Sequence, residues 1–251
     1  MVMFAKKVLW RGRRGRLSCF AAVAVVAGWL LASTLPALAG ALPDTGQTKF
    51  YDNDKEIPCP PAKGEPFYGQ DAHYTRPRSY TKLDAHDNEL PDSAAIWYQV
   101  RDNVTGLIWE VKQDRDDKPN YANPHDADNS YTWYDSNPAT NGGDAGIPGD
   151  GTDTEDFIVA LNSENGGSGY CGHTDWRLPT PKELSGIVDR GRVWPAVDTE
   201  YFPQVLSSYH WSSTTDVINT DFAWRVGFDY GIVSGDHKSS SFYVRAVRLG
   251  Q

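Results

Sequence analysis

The run Gly172-His173-Thr174-Asp175-Trp176-Arg177-Leu178-Pro179-Thr180-Pro181-Lys182-Glu183-Leu184 leaves the backbone little choice. Pro179 keeps Leu178 extended, because a residue before proline avoids helical angles. Thr180 can then cap a helix, Pro181 suits its first position, and Glu183 completes a capping box. An extended segment must therefore turn into a helix between Leu178 and Pro181. Trp176 and Leu178 supply apolar anchors on the extended side. Leu184, Ile187 and Val188 form the helix's apolar face, and Gly191 is the expected stop. Arg177 lies between the anchors, where it would pair with a buried carboxylate or with carbonyls. Trp176, Arg177, Leu178, Pro179, Thr180 and Glu183 thus read first as a structural hinge.

Periodicity places the remaining elements. Ile96 to Arg101 and Leu107 to Val111 read as two strands joined by a turn at Asp102-Asn103-Val104-Thr105-Gly106. A first helix is expected from Asp153 or Thr154, with acids in its first turn, Phe157, Ala160 and Leu161 as its apolar face, and Gly166-Gly167 as its end. His210 to Thr215 reads as a strand. Phe222 to Phe228 alternates with period two, Ile232-Val233 begins a short return, and Ser241 to Leu249 reads as a closing strand. Residues 112–153 run long without a period and read as a surface excursion. Antiparallel hairpins with two short helices and long loops make an α+β chain.

The N-terminus reads as an export signal over residues 1–39. Lys6, Lys7, Arg11, Arg13, Arg14 and Arg16 precede an apolar run from Leu17 to Leu31, and Ala37-x-Ala39 offers a cleavage site. The run is short for a membrane span. Taking those six bases away leaves 18 Lys and Arg against 33 Asp and Glu, a balance of −15. So acidic a body is a poor general binder of nucleic acid or anionic membrane. Export, to the periplasm or to the cell surface and beyond, also makes Cys59 and Cys171 candidates for a disulfide, with two free thiols as the alternative. After the signal, 40–95 reads as a loop-rich lead-in and 96–251 as the folded domain.

Five stretches together are similar to the Lcl C-terminal domain family, named for a collagen-like bacterial surface protein. They are Asp102 to Trp109, Gly172 to Leu184, Val197 to Pro203, Tyr209 to Thr215, and Tyr243 to Arg248. The resemblance implies a fold like that of C-type lectins and of formylglycine-generating enzymes. It implies a role in adhesion, through binding of sulfated glycosaminoglycans at cell surfaces. No Gly-x-y period appears here, so trimerisation by a collagen stalk does not carry over.

Catalytic signals are weak. The six histidines form no His-Glu-x-x-His pair, there is no Cys-x-x-Cys cluster, and Gly166 to Tyr170 lacks the second glycine of a nucleophile elbow. We therefore expect a protein that is not an enzyme and needs no cofactor. An acidic cleft with two convergent carboxylates would reopen the enzymatic option. Calcium is the one metal worth weighing, at Asp150, Asp153 and Asp156 or at Asp126-Ala127-Asp128-Asn129, although neither stretch matches an EF-hand and helix capping explains 153–156 equally well. For a glycan, Trp133 in the polar run Tyr131-Thr132-Trp133-Tyr134 is the expected exposed platform. Lys182, Arg190 and Arg192 are the expected sulfate-binding bases. The competing reading is an assembly module of the cell envelope that binds another protein.

Overall fold

The computed structural model describes residues 43–73 and 76–250. The expected signal lies outside them. Ten strands and two helices follow in chain order: β1 (Phe50–Tyr51), β2 (Glu56–Ile57), β3 (Tyr80–Leu83), β4 (Glu89–Leu90), β5 (Gln99–Asp102), β6 (Leu107–Glu110), α1 (Thr154–Gly167), α2 (Pro181–Ile187), β7 (Tyr209–Thr215), β8 (Phe222–Gly227), β9 (Val233–His237) and β10 (Val247–Leu249). All strand pairs are antiparallel. One sheet runs β10-β6-β5-β3-β4, another β7-β8-β9, and β1 pairs with β2 alone. The α+β expectation holds. Two strands of the larger sheet, β3 and β4, come from before residue 96.

Both faces of the larger sheet are covered, which explains why β6 is buried at every position. Val247, Trp109 and Val100 stand in register across three strands and belong to one apolar cluster, with Leu184, Ile187 and Phe202. Ile108, one residue along, belongs to a second cluster with Tyr131, Trp133, Phe157, Trp176 and Trp211. Successive strand residues point to opposite faces, so the two clusters sandwich the sheet.

The hinge folds as its chemistry dictates. The Thr180 hydroxyl accepts from Glu183 N at 3.3 Å, and the Glu183 carboxylate accepts from Thr180 N at 2.7 Å. Arg177 finds the same carboxylate, in a two-pronged pair at 2.9 and 2.7 Å. Backbone bonds of 3.0 and 2.9 Å join Arg177 to Val247, and Ser213 N donates to Pro179 O at 2.8 Å. The hinge thus ties β10 to β7. The helix ends at Ile187 rather than running to Gly191, because Val188 is already extended.

The segment 112–153 is a surface excursion only in part: 114–122 and 136–140 are exposed, but its middle, 125–133, is largely buried. Tyr131 and Trp133 are buried, and the chain is pinned through bonds from Tyr131 to Phe242 and from Trp133 to Lys238. The closing strand is also shorter than expected. Residues 242–243 leave the ladder to bond Tyr131, Tyr209 and Trp211, so only 247–249 run beside β6.

Candidate functional site

The expected platform is in the wrong place. Trp133 is 1% exposed, its indole N–H donates to Ser212 O at 2.8 Å, and the Lys238 ammonium sits 4.2 Å above the ring. Alternation in Tyr131-Thr132-Trp133-Tyr134 carried the correct signal: Tyr131 and Trp133 point inward, Thr132 and Tyr134 outward.

Among the described residues the exposed tryptophan is Trp194, at 60%, packed edge-to-face against Tyr230 with centroids 5.0 Å apart. Both rings sit where the loop after α2 crosses the β8–β9 turn. Trp194 N donates to Asp229 O, Ala196 N to Phe228 O, and the Arg190 guanidinium to Gly231 O at 3.3 Å. Arg190 therefore stands beside the aromatic pair. Arg192 is exposed but paired with Asp189 at 3.1 Å and Asp198 at 3.5 Å. Lys182, in the first turn of α2, is exposed. The signal for Trp194 lay in Arg190-Gly191-Arg192-Val193-Trp194-Pro195, a segment past a helix stop with no alternation to bury its ring.

The acids considered for calcium are engaged by backbone N–H groups. Asp153 caps α1, one carboxylate oxygen accepting from Asp156 N and the other from Gly149 N, both at 2.8 Å. Asp156 accepts from Gly151 N at 2.6 Å. Asp126 and Asp128 are likewise turned onto backbone, accepting from Asp128 N and from Asp116 and Asp117 N. Among the described residues no three His, Cys, Asp or Glu side chains are grouped to hold a metal. Of the two options for the cysteines, the structure has the free thiols: Cys59 is exposed and Cys171 half-buried. Cys171 is held in the tight turn Gly169–His173, where a side chain on Gly169 would collide with His173 O.

The structure also holds a feature that sequence reasoning missed. A cleft of about 750 Å³ opens between the β3–β4 turn, the frayed end of α1 and the turn at Cys171. His125 forms part of its floor, with Nδ1 2.9 Å from Glu110 and Nε2 2.9 Å from Glu164, and its ring centroid lies 4.0 Å from that of Tyr170. Glu110, fully buried on β6, also pairs with Lys112 at 3.1 Å and accepts from Ala246 N at 3.0 Å. Burial pushes its carboxyl up, but Lys112 and His125 outweigh that and hold it at about 2. Burial opposes charge on His125, yet the two glutamates raise its pKa. At the rim, Asp87 bonds His173 at 2.7 Å and the buried Arg248 at 2.8 Å. A lone Glu in the apolar strand Leu107-Ile108-Trp109-Glu110-Val111 was the available signal for this network.

The profile of the Lcl C-terminal domain matches residues 98–248. The chain belongs to the Lcl C-terminal domain family. No curated protein matches it. The Lcl profile covers β5 to β10, both helices, the hinge and every residue of the buried Glu110 network. It also takes in Trp194 and Tyr230, whereas β1 to β4 precede it. The Asp87 wall of the cleft is thus supplied from outside the Lcl match. Among the described residues no helix is long and apolar enough to cross a membrane.

Proposed function

We propose that this chain is an exported, non-enzymatic binding domain of adhesion type, lectin-like in fold, that engages a cell-surface glycan through Trp194, Tyr230 and Arg190. The exposed aromatic pair carries this reading. Two large rings held in solvent by a defined edge-to-face contact offer apolar faces to a sugar ring. Arg190 beside them, and Arg192 once it exchanges Asp189 or Asp198, offer the donor fork that grips a sulfate or carboxylate. The acidic balance of the body opposes long-range capture of a polyanion, so contact at this face has to supply the affinity.

Support for binding over catalysis comes from how the reactive groups are held. Burial pushes the Cys171 thiol up to about 12, far from a nucleophilic thiolate. His125 has both ring nitrogens engaged by carboxylates, leaving no free lone pair for a general base. His210 is stacked on Phe228 and burial holds it near 3, uncharged.

The test is retention of the mature chain on a glycan array and a heparin column, with and without calcium, beside Trp194→Ala. Retention that falls at least tenfold in the variant supports the reading, and uniform absence of retention rejects it. A second reading, an envelope protein as partner, rests on the apolar side chains flanking the rings: Val193, Ile232 and Val233 are all exposed. A stoichiometric partner drawn from an envelope extract by the wild type, and lost in Trp194→Ala, would favour it.

A further inference from the structure

The cleft over His125 is built, not incidental. Its floor is a histidine whose side chain is 8% exposed and fixed by two carboxylates. One wall is the α1 terminus, where Glu164, Asn165 and Gly166 leave helical angles and Asn165 adopts φ 53°. The Asn165 amide is spent on Gly169 O at 3.0 Å, which locks that wall to the Cys171 turn. The opposite wall is the turn carrying Asp87, which Gln99, His173 and Arg248 fix in place. Tyr98 and Gln113 are shared with a second hollow of about 300 Å³ next to Ile96 and Asp114, so the two form one interrupted groove.

Charge in this groove is already matched from within. Glu110, Glu164 and Asp87 face Lys112, His125 and Arg248, and Arg245 donates into Glu110 O. The Lys112 and Arg248 side chains are nearly closed off from solvent. The surfaces left open are carboxylate oxygens, the Gln113 amide, the His86 and His173 imidazoles and aromatic rings; no lysine or arginine lines the 750 Å³ part. A polyanion would meet Asp87, Glu164 and Asp114 without a free cation to receive it. A cation would compete with His125 for Glu164 and with Arg248 for Asp87. What remains is a ligand without charge, rich in hydroxyls that donate to carboxylates and accept from amides, with a face that lies on a ring. The volume falls within the roughly 300–1,000 Å³ of small-molecule sites.

We infer that this cleft is a second binding site, separate from the Trp194 face, and that it takes a neutral saccharide with Glu164, Gln113 and Tyr98 among its contacts. Glu164 bonds His125 through Oε1, leaving Oε2 to accept a sugar hydroxyl. Gln113 lies on the wall common to both hollows, where its amide can serve as donor and acceptor. Tyr98, about a third exposed, stands between the hollows and would separate one sugar unit from the next.

Titration of the isotope-labelled mature chain with cellotriose, chitotriose, mannotriose and a heparin tetrasaccharide tests this by NMR. At least one neutral trisaccharide should shift the His125 and His173 ring signals and leave the Trp194 indole signal in place. Tyr98→Ala and Gln113→Ala should weaken that trisaccharide at least tenfold, and Trp194→Ala by less than twofold. The wild-type shift map decides the matter even if a cleft variant fails to fold. No shift at His125 or His173 with any of the three trisaccharides would overturn the inference. So would loss of trisaccharide binding in Trp194→Ala, or a heparin fragment that alone occupies the cleft. Failure of heparin retention on the column, with the trisaccharide result intact, would reject only the sulfated-glycan reading of the Trp194 face.

Discussion

Arginine and acid are handled in opposite ways in two regions of this molecule. Around Glu110 the charges are buried, each acid is answered by a base, and the partners come from four separate segments. Beside Trp194 the Arg192 guanidinium is about half exposed and shares two acids of its own loop, Asp189 and Asp198, at 3.1 and 3.5 Å. Buried pairs are defended because breaking one strands its partner without water, whereas exposed pairs contribute little and exchange freely. The comparison teaches that a count of bases does not locate a binding face. Arg245 and Arg248 carry as much charge as Arg190 and Arg192 but are walled in by the core.

This contrast can be broken at its strongest point. Glu110→Ala should destabilise the chain by about 3–5 kcal/mol, because Lys112, His125 and Ala246 N lose the carboxylate they bond while remaining buried, and Arg245, which keeps its bond to the main-chain carbonyl, loses its nearby countercharge. Urea unfolding followed by tryptophan fluorescence would measure it, and a loss below about 1 kcal/mol would show that the network is dispensable. The two tryptophans sharpen the point. Trp133→Ala should cost about 3–5 kcal/mol through the cavity it leaves. Trp194→Ala should stay within about 0.5 kcal/mol of wild type while removing binding. Comparable losses for the two would erase the distinction between core and face.

Arg177→Lys comes next in size. It removes the two-pronged contact with Glu183 and should cost about 1 kcal/mol, read as a lower urea midpoint with glycan binding unchanged. The buried network should also show in the pH profile. Glu110 contributes stability that is complete above its unfolded value of 4.5 and is lost as pH falls through about 2. His125, with its pKa raised, contributes stability complete below 6.5 and lost as pH rises through the raised value. Urea midpoints for this pair should therefore peak between those limits, and His125→Gln should remove the alkaline decline. A decline that persists unchanged in the variant would assign it to another group.

Local rules made the elements legible, and long-range ones hid the site. The Thr180–Glu183 capping box, the Asp153 cap and the 99–110 hairpin each need only a few neighbouring residues, and each formed where chemistry put it. Around Trp133 the polar composition points to the surface, whereas the alternation of Tyr131 and Trp133 points to the core, and the alternation wins. The closing strand was drawn too long because period two does not reveal a chain that changes partners midway. His125 reaches Glu110 across 15 residues and Glu164 across 39, a meeting that only the sheet order brings about.

The position of β10 has one more consequence. Val244, Arg245, Ala246 and Val247 fill both apolar clusters and hold Glu110 and Arg177 from a single short stretch. A nascent chain that has not yet reached residue 244 lacks the stave on which both halves of the interior close. Neither cluster can close before that stave is in place, so the two halves of the interior are sealed in one step rather than one after the other.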